Sequence, residues 1–167
     1  MTVVACELFG RNDTPDGWER RAAYVSSGEC ECPDGHGFSS GVEIFSEKLL
    51  DATAGNIKSA TDHVAQIDAI GGTAIHEGLL SGLKLVSDGA PRMKMIMFLT
   101  DGMPTIGERD MKKIVKDVGG ANLRRVRIFT FGVGYDVNTT LIDAIARGNS
   151  GDSDYIKPSE KLEERIA

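Results

Sequence analysis

Two short polar turns hold the residues of this chain best suited to binding chemistry. Gly71-Gly72-Thr73 sets a hydroxyl on a glycine hinge before an apolar helical period, and Thr100-Asp101-Gly102 sets a carboxylate just past an apolar run. In open α/β sheets ligands collect outside the carboxyl ends of the strands, so a hydroxyl and a carboxylate delivered there would share one rim. Oxygen donors of this kind suit a hard divalent cation, Mg²⁺ or Mn²⁺, completed by water. Thr73 also stands where a helix N-cap would, with Glu77 spaced for a capping-box contact, so cap and ligand are both open to it.

Other patterns carry less. Gly37-Phe38-Ser39-Ser40-Gly41 fits the Gly-x-Ser-x-Gly of serine hydrolases, with His63 or His76 downstream. That motif needs a buried strand before the serine and a helix after it, whereas an irregular loop precedes Ser39 and an alternating strand follows. Labelling of Ser39 by a fluorophosphonate probe would favour the hydrolase reading. Cys30, Cys32 and His36 have zinc-binding atoms but no second cysteine pair. Gly132-Val133-Gly134 lacks the third glycine of a dinucleotide fingerprint, and no phosphate-cradling Gly-x-x-x-x-Gly-Lys occurs.

The elements that must position Thr73 and Asp101 follow from hydrophobic period. From Phe38 onward strand-like and helix-like runs alternate, the pattern of an α/β layered domain with a largely parallel sheet. Phe38 to Glu47 alternates as an extended segment near a sheet edge. Thr53 to Ile67 places Ile57, Ala60, Val64 and Ile67 at helical spacing, and a second helix after Thr73 places Ile75, Leu79, Leu83 and Val86 on one stripe that needs a sheet to cover it. Met93 to Thr100 and Val126 to Val133 read as buried parallel strands. Between them Asp110 to Val118 is predicted helical, with Met111, Ile114, Val115 and Val118 inward and Gly119-Gly120 as its stop. Asn138 is a predicted N-cap for a helix carrying Leu141, Ile142 and Ile145 that ends near Gly148. Tyr155 to Lys157 is a last short strand, and Pro158-Ser159 starts a C-terminal helix with Leu162 and Ile166 inward.

With 167 residues, 41% of them hydrophobic, the chain encloses one core, and a single domain over 1–167 is expected. A formal net charge of -6 with no basic run argues against nucleic acid. No apolar stretch approaches the ~20 residues needed to cross a bilayer, and Met1 to Gly10 lacks the form of a signal peptide. The three cysteines, Cys6, Cys30 and Cys32, cannot all pair internally and do not define a compartment.

GGTAIHEGL (Gly71 to Leu79), MFLTDGMPTIGE (Met97 to Glu108), RIFTFGVGYDVNTTLID (Arg127 to Asp143) and SDYIKPSEKLEERI (Ser153 to Ile166) resemble, in order and spacing, successive signatures of von Willebrand factor type A domains. The likeness is greatest to those of inter-alpha-trypsin inhibitor heavy chains and their bacterial relatives. It covers 38–166 and leaves 1–37 as an atypical segment. The resemblance implies a three-layer, doubly wound, mostly parallel sheet flanked by helices, and a non-enzymatic module that binds a protein partner through a metal-ion-dependent adhesion site. It assigns Thr73 and Asp101 to the second and third ligand motifs, where a partner's carboxylate would complete the metal shell. The loops Met103 to Ile106 and Tyr135 to Asn138 belong to the same rim. Such relatives are usually extracytoplasmic parts of longer chains.

The first ligand motif, Asp-x-Ser-x-Ser after the first strand, has no match in Met1 to Gly37. Thr2 to Phe9 is apolar enough for the central first strand, yet Glu7 stands near the expected aspartate with Phe9 and Arg11 where hydroxyls belong. One hydroxyl and one carboxylate should hold Mg²⁺ poorly, because the ion gives up water reluctantly, so a weak or absent metal site is expected. Gly10 to Gly37 shows no helical or strand rhythm, as a segment translated in a shifted frame would. A nonfunctional remnant is therefore a third reading beside binding module and hydrolase, and the other frames of the coding DNA test it.

Overall fold

The computed structural model describes residues 2–11, 18–31, 38–66, 72–86, 93–157 and 159–160; for residues 2–43 and 93 the description is of the backbone. In chain order the elements are β1 (Thr2–Arg11), β2 (Trp18–Glu31), β3 (Phe38–Ile44), β4 (Leu50–Asp51), α1 (Ala54–Val64), α2 (Ile75–Leu85), β5 (Met93–Thr100), α3 (Met111–Ala121), β6 (Arg127–Val133), α4 (Thr139–Gly148) and β7 (Ser153–Ile156). One sheet runs in the order β3-β2-β1-β5-β6-β7, with β4 paired to β2 off this path.

Strand period two sorts β5 into a core face and a second face. Lys94, Ile96, Phe98 and Thr100 are buried, whereas Met95, Met97 and Leu99 between them are half-buried. Ile128 and Thr130 continue the core face on β6. Over that face lie α2, bringing Ile75, Leu79 and Leu83, α3, bringing Ile114 and Val118, and α4, bringing Leu141, Ile142 and Ile145. Full burial of each such side chain is worth about 1.5–3 kcal/mol, which orders helices that would be marginal alone. The β5-α3-β6-α4-β7 succession is the α/β unit expected from the sequence: β6 pairs parallel to both β5 and β7. Right-handed crossovers stepping in one direction put both linking helices on the same side.

Several local expectations change. β1 takes the central place assigned to Thr2–Phe9 but runs antiparallel to β5, Thr2 opposite Thr100, so among the described residues parallel pairing is confined to β5, β6 and β7. The stretch without rhythm contains β2, antiparallel to β1 and β3; main-chain pairing needs no side-chain period. The apolar stripe of α1 buries no residue: Ile57 and Val64 remain exposed, and Phe45 meets the His63 ring at 5.1 Å. Met111 is exposed too, its sulfur accepting from Asn138 Nδ2 at 2.9 Å. α3 continues through Gly119-Gly120 and ends at Asn122, whose side chain pairs with both Val126 N and Val126 O. The caps Thr53, Asp110 and Asn138 each accept a main-chain N–H in the first turn of their helix. Ile67, Gly71, Cys32, His36 and the segment 161–167 of the expected C-terminal helix lie outside the described residues.

Candidate functional site

The loop after β5 folds back over the turn before α2. Thr73 N–H donates to Thr105 Oγ1 at 2.7 Å, and Thr73 O accepts from Thr105 N at 3.0 Å and Ile106 N at 3.3 Å. Gly72 makes this approach possible, since a Cβ there would collide with Thr105 Oγ1 and the Ile106 side chain at 2.5 and 2.6 Å. Thr73 is consequently only 6% exposed. Its hydroxyl lies against the other candidate turn: a Cβ on Gly102 would stand 3.5 Å from Thr73 Oγ1. The two turns singled out in the sequence therefore meet, with Asp101 exposed at the head of the loop.

Thr73 is not the helix cap. Ala74 occupies the N-cap position of α2, and no side chain caps the helix. The reason is positional: Thr73 spends its main-chain groups on the Thr105–Ile106 segment and turns its hydroxyl toward Gly102. Glu77 likewise makes no capping box. Its carboxylate packs onto Gly107, where φ is +67° and a Cβ would fall inside the carboxylate. Gly107 thus meets two demands only glycine satisfies together, left-handed backbone and no side chain.

The far end of the loop is fastened to α3. Glu108 Oε1 accepts from Arg109 N and Asp110 N, each at 3.0 Å, and its other oxygen binds Lys113 Nζ. The Lys113 hydrogen bond, then the backbone N–H of Asp110, push the Glu108 carboxyl down to about 2. Asp110 accepts from Lys113 N at 2.8 Å as the helix cap. Sequence reasoning placed Met103–Ile106 on the rim but missed Thr105 and Gly107 as its clasps; a threonine and a glycine in a loop have no period to reveal them.

The fit to a divalent cation is partial. Thr73 and Asp101 supply one hydroxyl and one carboxylate. The Thr105 hydroxyl already accepts from Thr73, and the Thr100 hydroxyl is turned onto Gly102, donating to its O at 3.3 Å and accepting from its N at 3.4 Å. Among the described residues no group of three or more His, Cys, Asp or Glu side chains is placed to hold a metal ion. Two protein oxygens leave most of an octahedral shell to water.

Ser39 lies inside β3, paired across to Cys30 on β2, so the strand-to-helix turn that a hydrolase nucleophile needs is not where Ser39 stands. His63 and His76 lie on α1 and α2.

The chain is similar in sequence to heavy chains of the inter-alpha-trypsin inhibitor. The chain is 32% identical over 122 residues to inter-alpha-trypsin inhibitor heavy chain H1 of Mesocricetus auratus, a match spanning 68% of this chain and 13% of the relative. It is 31% identical over 121 residues to inter-alpha-trypsin inhibitor heavy chain H4 of Homo sapiens, again across 68% and 13%. The chain thus spans roughly one eighth, 13%, of the length of the curated relatives it matches. No protein-family model matches it. Among the described residues no helix is long and apolar enough to cross a membrane.

Proposed function

We propose that this chain is a non-enzymatic protein-recognition module of the von Willebrand factor type A kind, docking a partner's carboxylate at the rim through a divalent cation shared with Thr73 and Asp101. Its cation site is incomplete and holds Mg²⁺ or Mn²⁺ weakly or not at all. The observation that carries this reading is the meeting of the two turns, with Thr73 Oγ1 placed 3.5 Å from where a Gly102 Cβ would be. Support also comes from similarity to proteins named inter-alpha-trypsin inhibitor heavy chains.

Calorimetric titration with Mn²⁺, on the wild type and on Asp101→Ala, tests the cation. The expected affinity is about millimolar or weaker, and tight binding lost in the variant would refute the incomplete site. An amide-capped peptide with one aspartate, added with Mg²⁺ in excess so that the cation can bridge the two carboxylates, tests the docking. It should perturb the Thr73 and Gly102 amide resonances of the wild type and not of Asp101→Ala; silence at the rim in the wild type refutes carboxylate docking. Covalent labelling of Ser39 by a fluorophosphonate would overturn the non-enzymatic part.

A further inference from the structure

Two loops leave one rim of the sheet side by side. Thr100 of β5 pairs with Gly132 of β6, and Met103 and Tyr135 each follow three positions later, so the loops that carry them start level on adjacent parallel strands. The loops are joined again at their far ends, where Asn138 Nδ2 donates to the Met111 sulfur at 2.9 Å. Between these ties stand exposed apolar side chains: Met103 is 55% exposed, Met111 40% and Tyr135 83%.

Both loops are braced beneath those side chains. Met103 stands between Asp101 and the Thr105–Ile106 clasp on Thr73, with Pro104 restricting the backbone next to it. Tyr135 follows Gly134, whose N–H donates to Ile156 O at 3.0 Å and whose φ of +94° turns the chain sharply before the ring. A backbone fixed in advance adds little ordering cost when a partner covers what it presents. Exposure alone marks no site, since Leu123 is 87% exposed on the connection that enters β6 at its amino end, remote from these loops. The rim differs because its apolar groups are gathered around the exposed carboxylate of Asp101. A tyrosine ring and a methionine thioether are side chains enriched where proteins meet. Asp101 and Asp136, both exposed on these two loops, oppose an anionic lipid surface, which leaves a protein segment as the occupant.

We propose that the rim selects a partner segment in which the docking carboxylate is flanked by a large apolar side chain, seated against Met103 and Tyr135. This rests on the docking of a carboxylate at Asp101 and adds to it the kind of residue that stands beside that carboxylate. Apolar surface is removed from water on both partners, so binding tightens with the apolar area of the flanking residue.

Two capped tripeptides test it, one with aspartate between two leucines and one with aspartate between two serines. Each is titrated in excess Mg²⁺ while the amide resonances of Met103 and Tyr135 are followed. The leucine peptide should bind about five- to tenfold more tightly. That ratio should shrink in Tyr135→Ser and in Met103→Ser, and should persist in Leu123→Ser. Equal affinity of the two peptides for the wild type overturns the proposal while leaving carboxylate docking in place, as does a ratio that neither rim variant changes. Binding of the leucine peptide that Asp101→Ala leaves unaltered overturns carboxylate docking, and the recognition of a flanked carboxylate with it. A rim silent to both peptides overturns both.

Discussion

Thr73 and Thr105 are joined reciprocally, the N–H of Thr73 donating to Thr105 Oγ1 at 2.7 Å and the N–H of Thr105 donating to Thr73 O at 3.0 Å. They stand 32 positions apart in the sequence, on the loops that carry the two halves of the candidate site. Because Thr73 is buried, its N–H has no easy recourse to water if the hydroxyl is lost. Thr105→Val keeps the shape and deletes the acceptor, and should cost about 1–3 kcal/mol by urea denaturation. Thr105→Ser should recover most of it. A valine variant as stable as the wild type would show that this bond contributes nothing.

Gly107 and Glu77 form the second clasp. Gly107→Ala places a Cβ inside the Glu77 carboxylate on a backbone at φ +67°, so displacement and left-handed strain add. The strain alone should cost about 1–2 kcal/mol. In a Glu77→Ala background the collision disappears and the strain remains, so the penalty should shrink without vanishing. Equal penalties in both backgrounds would refute the contact.

At the acid end Glu108 should be visible. Its carboxyl is lowered from 4.5 to about 2, first by the Lys113 hydrogen bond and then by the Asp110 N–H. A depressed carboxylate contributes stability that is present above 4.5 and is lost as pH falls toward 2. The stability gap between the wild type and Glu108→Gln should therefore close across that interval, and the side-chain carbon of Glu108 should titrate within it by NMR. A gap unchanged by acid would contradict the pairing.

At the alkaline end Tyr155 should act. Although the residue is 37% exposed, its hydroxyl is turned inward, donating to Asp143 and lying 3.2 Å from Thr139 O. Desolvation first, then the Asp143 hydrogen bond, raise it from 10.0 to about 12. A raised pKa contributes stability that is complete below 10.0 and is lost as pH rises toward 12, when the unfolded chain ionises and the folded one resists. Tyr155→Phe should lack this alkaline loss. Tyrosinate absorbance of the wild type measures the titration, and a Tyr155 that ionises at its ordinary value would refute the tie between α4 and β7.

Local chemistry made much of the chain legible. The stripe Ile75, Leu79, Leu83 and Val86 is buried as its spacing required, β5 occupies Met93–Thr100, and Asn138 accepts from Leu141 N at 3.1 Å as a cap. Each depends on residues within a turn or two of one another, or on a period long enough to bury one face. Glycine was the poor guide. Gly119 and Gly120 were read as a stop, but α3 passes through them because termination is set by Asn122 pairing with Val126.

Sequence alone therefore determined which segments become β5, α2, β6 and α4 and that Thr73 and Asp101 sit on their terminal turns, since hydrophobic period and capping chemistry act over a few residues. Tertiary structure alone decided that β1 runs antiparallel to β5, that Thr73 is bound by Thr105 instead of capping α2, and that Glu77 rests on Gly107. Strand direction and loop partners depend on contacts between residues far apart in the chain, and such contacts leave no local pattern from which they can be read.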